Sequence, residues 1–192
     1  MIDVDRYHIL KEKYSRCSSW AIWRDAGEKP ASNTGDITIF NDKNICDKLN
    51  DKYVFVGLNV SSTPEDEPWR NFHSDYRYQK DFKLRYALKD TRFWGSYITD
   101  IIKDCPLKTS SDVKKYLKNN PQKIIESVQT LKEELGMLSD KKPILIAMGN
   151  ASFDILNKNL TGYDNIKKIR HYAYPCSKEK YRGYVLNKLE GI

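Results

Sequence analysis

Apolar residues in this chain gather into short unbroken runs separated by longer amphipathic stretches. That is the pattern of strands buried on both faces alternating with helices. The clearest runs are Tyr53-Val54-Phe55-Val56 and Ile144-Leu145-Ile146-Ala147-Met148. Residues 96–102 form a third, and 169–174 predict a last strand. Ile124, Ile125, Val128, Leu131, Leu135 and Leu138 recur every three or four residues and mark one apolar face of a helix. Asn120-Pro121 ahead of them predicts a capped start, with Asn as the cap and Pro in the first turn. Further helices are predicted over 76–88, 110–118, 151–160 and 178–189, with a short strand at 37–40 and a short helix over 44–50. Residues 60–75, rich in Ser, Pro and Asp, read as a long loop of the kind that carries chemistry at the end of a strand.

Strands alternating with helices at this spacing predict a single domain over 1–192 of the α/β class. The expected architecture is a three-layer α/β/α sandwich with a central, mostly parallel sheet. The first 36 residues show no clean period and read as an irregular, aromatic-containing extension packed on that domain. Within it the patch from Cys17 to Trp23 is compact, and 28–35 is a loop.

Composition narrows the classes. At 192 residues with 12% aromatic side chains, the chain can bury a core without staples, which excludes disorder. Lys and Arg outnumber Asp and Glu by 33 to 26, for a formal charge of +7, which suits nucleic acid, a phosphorylated ligand or an anionic surface. The lysines are scattered, so ordinary solubility is the competing reading. Cys17, Cys46, Cys105 and Cys176 form no Cys-x-x-Cys pair, and their spacing is too wide for a zinc or iron–sulfur motif. No metal or other cofactor is therefore expected. The longest apolar run is far too short for a membrane span, and no signal peptide is legible, so a reduced, cytoplasmic protein and a monomer are expected.

Chemistry-bearing residues cluster at the predicted strand ends. Gly57-Leu58-Asn59 closes the first strong strand: glycine permits close approach of backbone, and the Asn amide can fix a water molecule. An ordinary turn would use the same two residues. His171 falls in the last predicted strand, where a neutral imidazole could stabilise an oxyanion or a leaving base, or simply pack among tyrosines. Asp100 closes the middle strand and could accept hydrogen bonds from a ring N–H or cap the next segment. In the loop, Phe72 could stack on a base and Arg70 meet phosphate, whereas Trp69 suits an anchor to the core. Gly149-Asn150 could present backbone N–H groups to a phosphate at a helix start. Lys178, Lys180 and Arg182 lie on a basic final helix that could follow a nucleic-acid backbone or be a solvated face. No Walker loop, dinucleotide fingerprint or nucleophile elbow is present.

Taken together, Val56-Gly57-Leu58-Asn59-Val60-Ser61, Tyr97-Ile98-Thr99-Asp100-Ile101-Ile102-Lys103, the stretch from Lys142 to Gly149 and His171 resemble the motifs of the uracil-DNA glycosylase superfamily. The resemblance covers about 53–182. It implies the glycosylase fold, a DNA partner, and hydrolysis of the N-glycosidic bond of a deaminated or damaged base. Asn59 would then position water and His171 steady the departing base. Gly57 and Leu58 would touch the base through their backbone, Phe72 would stack on it and Asp100 would read its edge. Arg70, Lys178, Lys180 and Arg182 would hold the nucleic-acid backbone. The chain departs from the motifs at Val60, at Tyr172-Ala173 after the histidine, and at Asp100, where the family places the Asn that reads uracil. A binding protein that keeps the fold without catalysis is the alternative.

Overall fold

The computed structural model describes residues 1–61, 66–76, 78–163 and 165–192. It is an α/β protein with a five-stranded sheet in the order β1-β3-β2-β4-β5. The strands are β1 (Ser18–Trp20), β2 (Asn50–Asn59), β3 (Ser96–Ile102), β4 (Ile144–Met148) and β5 (Lys167–Ile169). β2, β3, β4 and β5 run parallel, and β1 pairs antiparallel with β3. The helices are α1 (Val4–Tyr14), α2 (Ile45–Lys48), α3 (Asp81–Leu88), α4 (Ser110–Asn119), α5 (Pro121–Leu138), α6 (Asn150–Asn159) and α7 (Lys178–Lys188).

The unbroken apolar runs follow from helices on both faces. Side chains alternate across a strand, so each central strand feeds two cores. Val54, Val56, Tyr97, Ile101, Leu145 and Ala147 pack on one side with α1, α5 and α6. Phe55, Ile98, Ile146 and Met148 pack on the other with Leu84 and Leu88 of α3 and Tyr181 and Val185 of α7.

Several predicted elements shift. Of the first 36 residues, 21–36 carry no helix or strand, but the part before them supplies α1, with Asp3 capping its first N–H groups, and the edge strand β1. Trp20 of that strand is fully buried, so this segment belongs to the core. Residues 38–41 form a 3-10 turn in place of a strand. The helix predicted from 76 begins at Asp81, and residues 62–65 and 77 of the expected loop and helix lie outside the described residues. Asn120 precedes α5 but its amide donates back to Tyr116 O (2.9 Å), so it does not cap α5. Ile125, assigned to the apolar face of α5, is exposed.

The last strand shows the largest difference. β5 spans Lys167–Ile169 and the chain then turns, so His171 stands beyond the strand. In the sheet β4 lies between β2 and β5. From β2 the chain adds β3 on one side and later β4 on the other. That reversal leaves a crevice at the carboxyl ends of the strands, where open sheets bind ligands.

Candidate functional site

A cavity of about 610 Å³ opens at those carboxyl ends, lined in part by Leu58 and Asn59 from β2, Asp100 from β3, Gly149 after β4 and His171 after β5. The sheet thus brings together residues far apart in sequence. Phe72 and Asn71 close one side, and the lysines at positions 80, 108 and 114 stand at its edge.

Asn59 is fixed by its amide nitrogen. Nδ2 donates to Cys105 O at 2.7 Å and Leu107 O at 2.8 Å, which ties the end of β2 to the segment after β3. With both amide hydrogens committed, Oδ1 is the free acceptor of this side chain among the described residues.

Asp100 lies opposite Gly57 in the parallel pair of β2 and β3. A Cβ added at Gly57 would overlap Asp100 Oδ1 and stand 3.2 Å from its Cγ. Glycine is needed there to seat the carboxyl, a different reason from the approach of a ligand expected from sequence. Asp100 is 4% exposed. Its carboxyl accepts one hydrogen bond among the described residues, from Asn71 Nδ2 to Oδ2 at 3.4 Å. Burial pushes its pKa up to about 7, against the opposing attraction of Lys103.

Lys103 is held by a buried network below the site. Its Nζ pairs with Glu134 Oε2 (2.7 Å) and donates to Thr99 Oγ1 (2.7 Å) and Asp100 O (3.0 Å). Glu134 Oε1 accepts from Tyr97 OH (2.7 Å) and Thr99 Oγ1 (2.9 Å).

His171 is half-buried, its ring stacked on Tyr172 with centroids 4.1 Å apart. Ala173 N–H donates to Nδ1 at 3.2 Å, which makes Nδ1 the acceptor and leaves the proton of a neutral imidazole on Nε2. Burial, helped by the Lys83 charge, lowers its pKa to about 4, so the ring is neutral near pH 7. Lys83 Nζ donates to Tyr174 O at 2.6 Å and pins the turn that carries His171.

The loop ahead of α3 is bolted to the core. Trp69 is fully buried, its N–H donates to Ser15 O (2.7 Å) and its Nε1 donates to Tyr7 OH (2.9 Å). Trp69 and Phe72 both adopt φ of +67°, a left-handed conformation costly for non-glycine residues, and Trp23 Nε1 holds Phe72 O at 3.3 Å. These restraints set the Phe72 ring against the cavity. His73 faces away from it: the ring is buried beside Trp23 and Phe40, and burial lowers its pKa to about 3.

The cations chosen from sequence are not the ones at the cavity. Arg70 donates to Gly35 O (2.6 Å) and pairs with Glu67 (3.1 Å) and Asp75 (3.7 Å), which makes it a loop clamp. Arg182 donates to Tyr86 O (2.6 Å), Ala87 O (3.3 Å) and Lys89 O (2.9 Å), closing the open carbonyls at the end of α3. Lys178 pairs with Glu179, and Lys180 is exposed on α7 away from the cavity. Instead Lys80, Lys108 and Lys114 edge the cavity, and none forms an ion pair with a described residue. Sequence spacing gave no signal for them, because they lie in loops and on α4, whose placement depends on the tertiary fold. Asn71 was legible only as part of an aromatic and basic loop.

Among the described residues no group of three or more His, Cys, Asp or Glu could hold a metal ion, and no helix is long and apolar enough to cross a membrane. Comparison with protein-family models, with curated proteins and with solved structures finds no match.

Proposed function

We propose that this chain hydrolyses the N-glycosidic bond of a deaminated or damaged base in DNA, on a glycosylase-type fold. The observation that carries the reading is that Asn59, Asp100 and His171, from three different strand ends, line one cavity. Its volume of about 610 Å³ admits a base with its sugar. A nucleotide would have to leave the stack to reach it, at a cost of a few kcal/mol that contacts in the pocket offset.

In this reading Phe72 stacks on the base and Asn59 Oδ1 accepts a hydrogen bond from the attacking water. The water oxygen bonds to C1′ as the C1′–N bond breaks, and the bonding pair departs with the base. One water proton passes to solvent, and the base anion is later protonated. His171 Nε2–H donates to the base as its negative charge grows. An imidazole that is already neutral acts as a fixed dipole and needs no proton transfer. Leu58 borders the base, Asp100 meets its edge, and Gly57 serves the site by seating that carboxyl. The three unpaired lysines at the cavity mouth favour an anionic substrate, consistent with flanking phosphates.

The test incubates labelled duplexes containing uracil, hypoxanthine, xanthine or a mismatch, then cleaves abasic sites with alkali. Base release is expected for at least one duplex, with Asn59→Ala and His171→Ala each slower by about 10²–10³-fold. No release from any duplex, with binding retained, overturns the catalytic reading in favour of a binding protein. Full activity in both variants overturns the site assignment.

A further inference from the structure

The Asp100 carboxyl is almost wholly buried, it walls the cavity, and it is under-partnered. One long hydrogen bond from Asn71 (3.4 Å) is all it receives among the described residues. Lys103 attracts the carboxylate but gives it no hydrogen bond, because its Nζ is committed to Glu134, Thr99 Oγ1 and the Asp100 backbone carbonyl. A bare buried carboxylate is costly, whereas a carboxylic acid in the same place offers one O–H donor and one C=O acceptor. We propose that Asp100 works as a neutral acid that holds a lactam edge, giving its O–H to a ring carbonyl and accepting from the adjacent ring N–H. The proposal rests on the base-release reading of this cavity and names the class of base.

Two observations and the proposed chemistry agree with the neutral form. The groups that act directly on the Asp100 carboxyl are uncharged or form a cancelling pair, and the lysines at 80, 108 and 114 share its cavity without an ion pair to it. Lys103 at the end of β3 attracts a carboxylate and Glu134 of α5 repels it, while the two are paired with each other at 2.7 Å. Burial pushes the Cys17 thiol up to about 11 and raises the Tyr172 phenol well above its ordinary value, so both stay protonated. The nearby Asn71 amide is uncharged, and His171 is neutral. Second, the Asn71 N–H marks Oδ2 as the carbonyl oxygen, leaving Oδ1, above Gly57, to carry the proton.

Third, the proposed chemistry at the other end of the base favours it. In this reading Asp100 meets the edge of the base and not its glycosidic nitrogen, and the neutral His171 donates without giving up its proton, so the ring leaves as a stabilised anion. A lactam ring spreads that charge onto its carbonyls, and an amino group in place of a carbonyl removes one of those sites. An ionised Asp100 would repel the anion, and a neutral one donates to the carbonyl that carries the charge. Uracil and hypoxanthine present such an edge. Cytosine and adenine offer the reverse donor order and poorer leaving anions.

The test measures equilibrium binding of free uracil and free hypoxanthine, at millimolar concentration, by calorimetry from about pH 5.5 to about pH 8.5. Wild-type affinity is expected to hold at acid pH and to fall about tenfold per unit above about pH 7. Asp100→Asn supplies a permanent N–H donor beside a carbonyl and is expected to bind with a flat profile. Asp100→Ala is expected to lose binding at every pH. Circular dichroism checks that each variant is folded. A flat wild-type profile overturns the proposal, as does weaker binding by a folded Asp100→Asn at acid pH or no binding by either protein. Base release from DNA with a flat wild-type profile removes this inference alone. Uracil binding with the expected profile but no base release from any duplex removes the hydrolytic reading alone.

Discussion

The buried pair of Lys103 and Glu134 yields the most demanding prediction. Glu134 is 0% exposed, and its carboxylate takes hydrogen bonds from Tyr97 and Thr99 as well as the Lys103 ammonium at 2.7 Å. Glu134→Gln keeps the shape but removes the charge, so Lys103 is left without its counter-ion. Breaking a buried pair from one side costs about 3–5 kcal/mol. The lysine is 13% exposed and can turn partly towards water, which places the expected loss near the lower bound, about 3 kcal/mol. Urea unfolding at neutral pH measures it directly, as a lower midpoint with an unchanged slope. The double variant Lys103→Met with Glu134→Gln removes both charges and is expected to recover part of the loss. The same substitution acts on the site. Glu134 repels the charged form of Asp100 and Lys103 attracts it, so deleting only the repulsion moves the Asp100 titration to lower pH. The pH at which uracil affinity falls should then move down as well. A stability loss below about 1 kcal/mol, the range of exposed pairs, would refute the claim that this pair is buried and coupled.

Other outcomes follow from single contacts. Gly57→Ala places a Cβ on the Asp100 carboxyl and should cost about 1–3 kcal/mol in thermal unfolding, with Gly57→Ala plus Asp100→Ala recovering most of it. His73 titrates near 3 when folded and near 6.5 when unfolded, so its contribution is complete above about pH 6.5 and is lost as pH falls towards 3. His73→Asn should flatten the loss of urea stability between pH 6 and 4 by up to about 1.4 kcal/mol per pH unit; an unchanged slope would mean the ring is accessible when folded. Arg182→Ala, which opens three carbonyls at the end of α3, should cost about 1.5–3 kcal/mol, while Lys180→Ala on the same helix should stay within about 0.5 kcal/mol of wild type.

The α/β class was legible because burial on both faces of a sheet forces unbroken apolar runs, and β3 and β4 fall where those runs predict them. Asn59 was legible for the same reason: a strand that ends in Gly-x-Asn announces where its chain leaves the sheet. Local pattern failed where long-range contacts decide the outcome. β1 is three residues long and has no period of its own; pairing with β3 makes it a strand. The last strand stops at Ile169 because Lys83 and Tyr181 hold the following turn through Tyr174 O and Arg170 O, contacts reaching from α3 and α7.

By itself, then, the sequence determined the alternation of elements and the residue types at the strand ends. The tertiary structure alone decided that β4 lies between β2 and β5, and that Asp100, not a ligand, occupies the space over Gly57. It also decided that Lys80, Lys108 and Lys114, and not the cations of α7, edge the cavity. The reason is physical. Periodicity encodes which face of an element is apolar, but charge state, tautomer and partner depend on groups brought close by folding. Burial with little hydrogen bonding favours a neutral Asp100, and one backbone N–H sets the tautomer of His171.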